Sequence, residues 1–81
     1  MAKEEHEKKM GIILQHLFNA AKAEPSEALG KLVNASKSET QYYLDELRKK
    51  NHVKPVSYIV MGTSQTKWLI TDIGRKAIME S

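Results

Sequence analysis

"ASKSETQYYLDELRKKNHV", residues 35 to 53, carries both a helix start signal and a helix stop signal. Ser36 and Glu39 have the S-x-x-E spacing of a capping box, in which each side chain satisfies a backbone N–H near the other residue. A helix over 37–50 follows. Thr40, Tyr43, Leu44 and Leu47 recur at spacings of three and four and make its buried stripe. The "RKK" run at 48 to 50 places cations near the end where the helix dipole favours them, and Asn51 closes the helix in the left-handed conformation. With that stripe turned inward, Ser38, Gln41, Tyr42, Asp45 and Lys49 point to solvent.

Upstream, residues 4 to 23 predict a first helix with Met10, Ile13, Leu14, Leu17, Phe18 and Ala21 on one face. The opening "KEEHEKK" is all polar, and residues 1–6 are expected to fray or extend into solvent. Ile12 widens the apolar face beyond what one core contact requires. Pro25 disfavours helical geometry at Glu24 and stops this helix. A short second helix then has Ser26 as its cap and Leu29, Leu32 and Val33 facing inward. "NAS" at 34 to 36 forms a tight turn into the capping-box helix.

Downstream of Asn51 the apolar period changes to two. Val56, Tyr58 and Val60 alternate with Ser57 and Ile59, and after "MGTSQ" come Lys67, Trp68, Leu69 and Ile70. This predicts a two-stranded hairpin over 53–70, with Pro55 near the start of an edge strand and Thr63, Ser64, Gln65 and Thr66 at the tip. "KWLITDIGRKA", residues 67 to 77, passes from strand to helix. Here Thr71 caps a short C-terminal helix, Ile73, Ala77 and Ile78 turn inward, and Trp68 fills the core beneath the hairpin. Gly74 weakens a helix interior by about 1 kcal/mol relative to alanine, so its presence predicts a close approach to a neighbouring backbone.

Eighty-one residues with no cysteine make one small domain, 1–81, held by packing and not by disulfides or thiolate-bound zinc. Without a secretory n-region or a long apolar run, a soluble cytoplasmic protein with no membrane segment is expected. The net charge is +3, yet residues 31 to 76 hold nine basic and four acidic side chains, so the positive charge sits in the second half. No Ser, His and Asp grouping, phosphate loop or carboxylate pair stands out, and His6, His16 and His52 share no ligand spacing. Neither enzyme, cofactor nor metal is expected.

The order helix, helix, helix, hairpin, helix predicts an α+β, mostly helical fold of the winged helix-turn-helix type: three helices, a two-stranded wing and a short C-terminal helix. In such a motif the helix after the tight turn lies in the DNA major groove while neighbouring elements grip phosphates. Ser38, Gln41, Tyr42 and Asp45 are therefore the candidate base contacts. Asp45 either accepts from a cytosine amino group, pairs with Lys49, or lies outside the footprint. Ser36, Lys37, Lys49, Lys54, Thr63, Ser64, Gln65 and Lys67 are the candidate phosphate contacts. Each has a plainer reading as an ordinary solvated side chain.

"WLITDIGRKAI" resembles the strand-to-helix junction of winged-helix regulators of the MarR and PadR type, with Thr71, Gly74 and Arg75 in the matching places. "ASKSETQYYLDELRKKNHV" followed by "KWLI" also resembles the small pilus phase-variation regulators through Tyr42, Tyr43 and Leu44. "GTSQTKWLI" is similar to the wing of left-handed-DNA-binding Z-alpha domains, but the proline pair of that family is absent, and Gln41 and Asp45 stand where it has Asn and Tyr. These resemblances imply sequence-specific double-stranded DNA binding and transcription regulation. Such regulators often act as two-fold dimers, and the Ile12 side of the first helix with Ile78 and Met79 offers a homodimer surface. A winged-helix module that docks to a protein without touching DNA is the rival expectation.

Overall fold

The computed structural model describes residues 2 to 80. The architecture is α+β and mostly helical: α1 Ala2–Ala20, β1 Glu24–Pro25, α2 Ser26–Leu32, α3 Lys37–Lys49, β2 Val53–Val60, β3 Thr63–Ile70 and α4 Asp72–Met79. The three strands form one antiparallel sheet in the order β1-β3-β2. Met10, Ile13, Leu14 and Leu17 of α1 meet Leu29, Val33, Tyr43, Leu44, Leu47, Val53, Trp68 and Ile70 in a single apolar core.

Of the residues 1–6 expected to fray, Met1 lies outside the described residues and 2–6 are helical, since α1 begins at Ala2, and His6 packs edge-on against Tyr42 and Tyr43. The helix ends at Ala20, short of residue 23, because Ala21 takes a left-handed φ of 55°. The chain then extends as β1, a third strand where two were expected. Glu24 pairs with Trp68 and Pro25 with Lys67, while the Glu24 carboxylate lies 3.0 Å from His16 of α1. Because Pro25 is extended in this pairing, it takes the N-cap place of α2. Ser26 becomes the first helical residue and makes no cap bond. Leu32 is exposed, contrary to expectation, since α2 stops there and Val33 folds inward beside Leu29.

α3 has the capping box its sequence predicts. Ser36 Oγ accepts from Glu39 N, and Ser36 N donates to the Glu39 carboxylate, holding that carboxyl below its ordinary range. Thr40, Tyr43, Leu44 and Leu47 are buried, and Asn51 ends the helix at φ 62°. At the other junction Thr71 Oγ1 accepts from Gly74 N and donates to Asn51 O, and Thr71 N donates to His52 O. Gly74 is buried against the His52 carbonyl, with which a β-carbon would collide. That approach turns the Gly74, Ala77 and Ile78 side of α4 inward and leaves Ile73 exposed, correcting its predicted burial.

The hairpin register runs from Val53 opposite Ile70 to Val60 opposite Thr63. Its apex is consequently Met61 and Gly62, at φ 51° and 80°, the two left-handed positions of a tight hairpin turn. Thr63, Ser64, Gln65 and Thr66 are strand residues of β3 and not the tip.

Candidate nucleic-acid interface

The buried stripe of α3 fixes the direction of its opposite face. Ser38, Gln41, Tyr42, Asp45 and Lys49 are all exposed there, at helical spacings that form one continuous strip from the capped end onward. Tyr42 is held outward by two edge-on contacts, with its ring centroid 5.5 Å from His6 and 5.9 Å from Tyr43. No sequence signal links His6 to Tyr42, because the pairing depends on how α1 crosses α3. The Tyr43 hydroxyl beneath them is buried without a hydrogen-bond partner.

Two side-chain bonds modify the expected strip. Gln41 Nε2 donates to Asp45 Oδ1 at 2.9 Å, one helical turn away. Lys49 bonds Glu46 at 3.1 Å, and this hydrogen bond raises the lysine pKa. The alternative in which Asp45 pairs with Lys49 is thus corrected: the ammonium turns to the nearer carboxylate and Asp45 takes the Gln41 amide. The linked pair leaves the second Asp45 oxygen and the Gln41 carbonyl as acceptors. Exocyclic amino groups, adenine N6 or cytosine N4, are the base-edge groups that such acceptors fit.

Lys37, at the head of α3, is brought to β3. It shares a cleft of about 530 Å³ with Lys31 and Thr40 and with Gln65 and Thr66 of the hairpin. Lys31, not among the predicted contacts, lines the same cleft, where the Glu27 carboxylate pairs with it at 3.6 Å. Ser36 is exposed at the same helix start but engaged in the capping box and 3.4 Å from the Ser38 hydroxyl.

The remaining hairpin candidates do not share one surface. Strand alternation through the register puts Lys54, Val56, Tyr58 and Val60 with Thr63, Gln65, Lys67 and Leu69 on one face, and Ser57 and Ile59 with Ser64 and Thr66 on the other. Lys67 Nζ sits 5.1 Å from the Tyr58 ring centroid on the first face. Lys54 lines a separate depression with Asp72 and Arg75. Side chains that can donate hydrogen bonds therefore flank the hairpin on both sides. No acidic residue occurs between Val53 and Thr71.

Among the described residues no group of three or more His, Cys, Asp or Glu could hold a metal ion, and no helix is long and apolar enough to cross a membrane. Comparisons with protein-family models and with curated proteins find no match.

Proposed function

We propose that this chain is a winged helix-turn-helix domain that binds double-stranded DNA as a sequence-specific transcription regulator, with α3 in the major groove and the β2–β3 hairpin as the wing. The observation that carries the reading is the exposed polar strip of α3. It starts at a capped end beside Lys37, runs through Ser38, Gln41, Tyr42 and Asp45, and is accompanied by a hairpin free of carboxylates. Major-groove readers need these features: an outward-facing helix start, short polar side chains and neighbouring cations. Neither a catalytic step nor a cofactor is part of this role. Titration of random duplex DNA at two salt concentrations tests it, since neutralised phosphates release counterions and affinity must fall steeply with salt.

A rival reading, a winged-helix module that docks to a protein, draws on the apolar hairpin end, where Ile59 is 81% and Met61 99% exposed. Salt-independent behaviour and no duplex binding would favour it.

Base readout separates from phosphate gripping by its dependence on sequence. Gln41→Ala and Tyr42→Ala are each expected to cost about 1–3 kcal/mol on a site selected from a random library and much less on random duplex. Equal losses on both would make them backbone contacts.

A homodimer through α1 and α4 is part of the same proposal. These helices pack together, Ile12 is 41% and Met79 72% exposed, and Ile78 is half-buried against the core. Sedimentation at tens of micromolar should show a dimer that Ile12→Glu dissociates with the fold intact. A single monomeric species, unchanged by half-site DNA, would leave Ile12 as an ordinary surface residue.

A further inference from the structure

We propose that the hairpin apex is an apolar wedge: Met61, with Ile59 beside it, enters a base step of duplex DNA from the minor groove and unstacks it. This rests on the DNA-binding reading above and adds to it a specific deformation of the ligand.

The apex is built in a way that the fold itself does not require. A two-residue turn with both φ values positive calls for Asn, Asp or Gly at its first position, and an unbranched apolar side chain is unfavourable there. Met61 nevertheless holds that position at φ 51° and is 99% exposed. Tyr58, Ile59 and Val60 lead up to it, all large, apolar and exposed. The core ends at Trp68, opposite Pro55, so the six residues from Val56 to Met61 carry the apex roughly 20 Å beyond it. Among the described residues no other element covers this end.

The surroundings favour a nucleic-acid duplex as the occupant. Exposed strands are commonly protected by charge, and the charge on this hairpin is all of one sign: Lys54 and Lys67, with no carboxylate from Val53 to Thr71. Next to the apex Thr63 and Gln65 lie on one face of the hairpin and Ser64 and Thr66 on the other, while Lys67 and Lys54 stand farther back toward its base. A hairpin entering a minor groove has a sugar-phosphate backbone on each side. Groups that donate hydrogen bonds on both faces, behind a side chain that is purely apolar at the tip, match that geometry. Met and Ile are among the side chains able to part a base step, and the groove narrows toward its floor so that only the apex can enter.

The test compares a fully paired duplex with one carrying a central mismatch next to 2-aminopurine. A mismatch reduces the unstacking cost in advance, so the wild-type protein should bind the mismatched duplex roughly tenfold more tightly and raise the 2-aminopurine fluorescence. Met61→Asn keeps a residue suited to the left-handed position, so its melting temperature should equal or exceed that of the wild type. It should bind both duplexes alike and leave the fluorescence unchanged. Ile59→Thr, a strand-compatible change, should weaken the preference in the same direction. Paired and mismatched duplexes bound equally by the wild type, with normal salt dependence, would overturn the wedge and leave DNA binding standing. No binding to either duplex would overturn both. Binding to phosphatidylglycerol vesicles that Met61→Asn abolishes, with the mismatch preference unaffected, would assign the apex to a membrane surface and overturn the wedge.

Discussion

Gly74→Leu should lower the melting temperature by roughly 12 °C or more, since a loss of about 3 kcal/mol moves a domain of this size by about 4–8 °C per kcal/mol. The size of the effect comes from what the side chain would strike. A β-carbon at Gly74 meets the His52 carbonyl oxygen, which is backbone, and lies 2.8 Å from Ile70 Cγ1, a core side chain. Neither can swing aside as the end of a flexible chain would. His52 O is also held by Thr71 N, and its neighbour Asn51 O by the Thr71 hydroxyl, so the loop after α3 and the start of α4 would have to move together. Gly74→Ala is the sharper variant because two effects of opposite sign compete. Helix propensity alone favours alanine by about 1 kcal/mol, whereas overpacking against backbone costs about 1–3 kcal/mol. Destabilisation by Gly74→Ala in thermal or urea unfolding is therefore expected. A raised melting temperature would mean that α4 relaxes away from His52 at little cost and that the close approach is not why glycine stands there.

The parts of this fold legible in the sequence are those governed by residues near one another in the chain. The capping box of Ser36 and Glu39, the buried stripe of α3, the left-handed Asn51 and the Thr71 cap each depend on a few residues and a known helical period. Gly74 was legible for a different reason, as a local cost that packing had to offset. What escaped reading depends on partners remote in sequence. β1 is only two residues long and exists because β3 pairs with it, so Pro25 reads as a helix stop but not as a strand. Leu32 and Ile73 satisfy helical periodicity, and only the stop of α2 and the approach at Gly74 decide that they face solvent. The apex was missed because Met61 is not a residue that hairpin turns favour, which placed Thr63 to Thr66 at the tip. For the candidate interface, composition and period correctly faced Ser38, Gln41, Tyr42 and Asp45 outward. The Gln41 to Asp45 bond, the Lys49 to Glu46 bond and the His6 contact with Tyr42 are choices among neighbours that spacing leaves open.

Combined replacement of Lys37, Lys54 and Lys67 by alanine should flatten the dependence of log affinity on log salt by roughly 2.7, about 0.9 for each phosphate no longer neutralised. The weakening should be the same on random and selected duplexes, which separates it from base readout. The single variants carry more geometric information than the triple. Lys37 lies at the head of α3 in the cleft shared with Gln65 and Thr66, whereas Lys54 and Lys67 occupy the hairpin face opposite Thr66 and lie nearer its base. A duplex gripped by α3 and by both sides of the wing requires all three slopes to change. If only Lys37→Ala changes the slope, the DNA contacts α3 and the cleft alone, and the outer face of the hairpin stays in solvent. Stability must be checked separately for Lys67, whose ammonium lies over the Tyr58 ring; without that ammonium the fold is weaker by about 0.5–1 kcal/mol even when no DNA is present. Lys37 and Lys54 are exposed, and their replacement should leave unfolding within about 0.5 kcal/mol of wild type. Full affinity and an unchanged slope in the triple variant would remove the cationic footprint on which the DNA-binding proposal depends, and would return the carboxylate-free hairpin to the protein-docking reading.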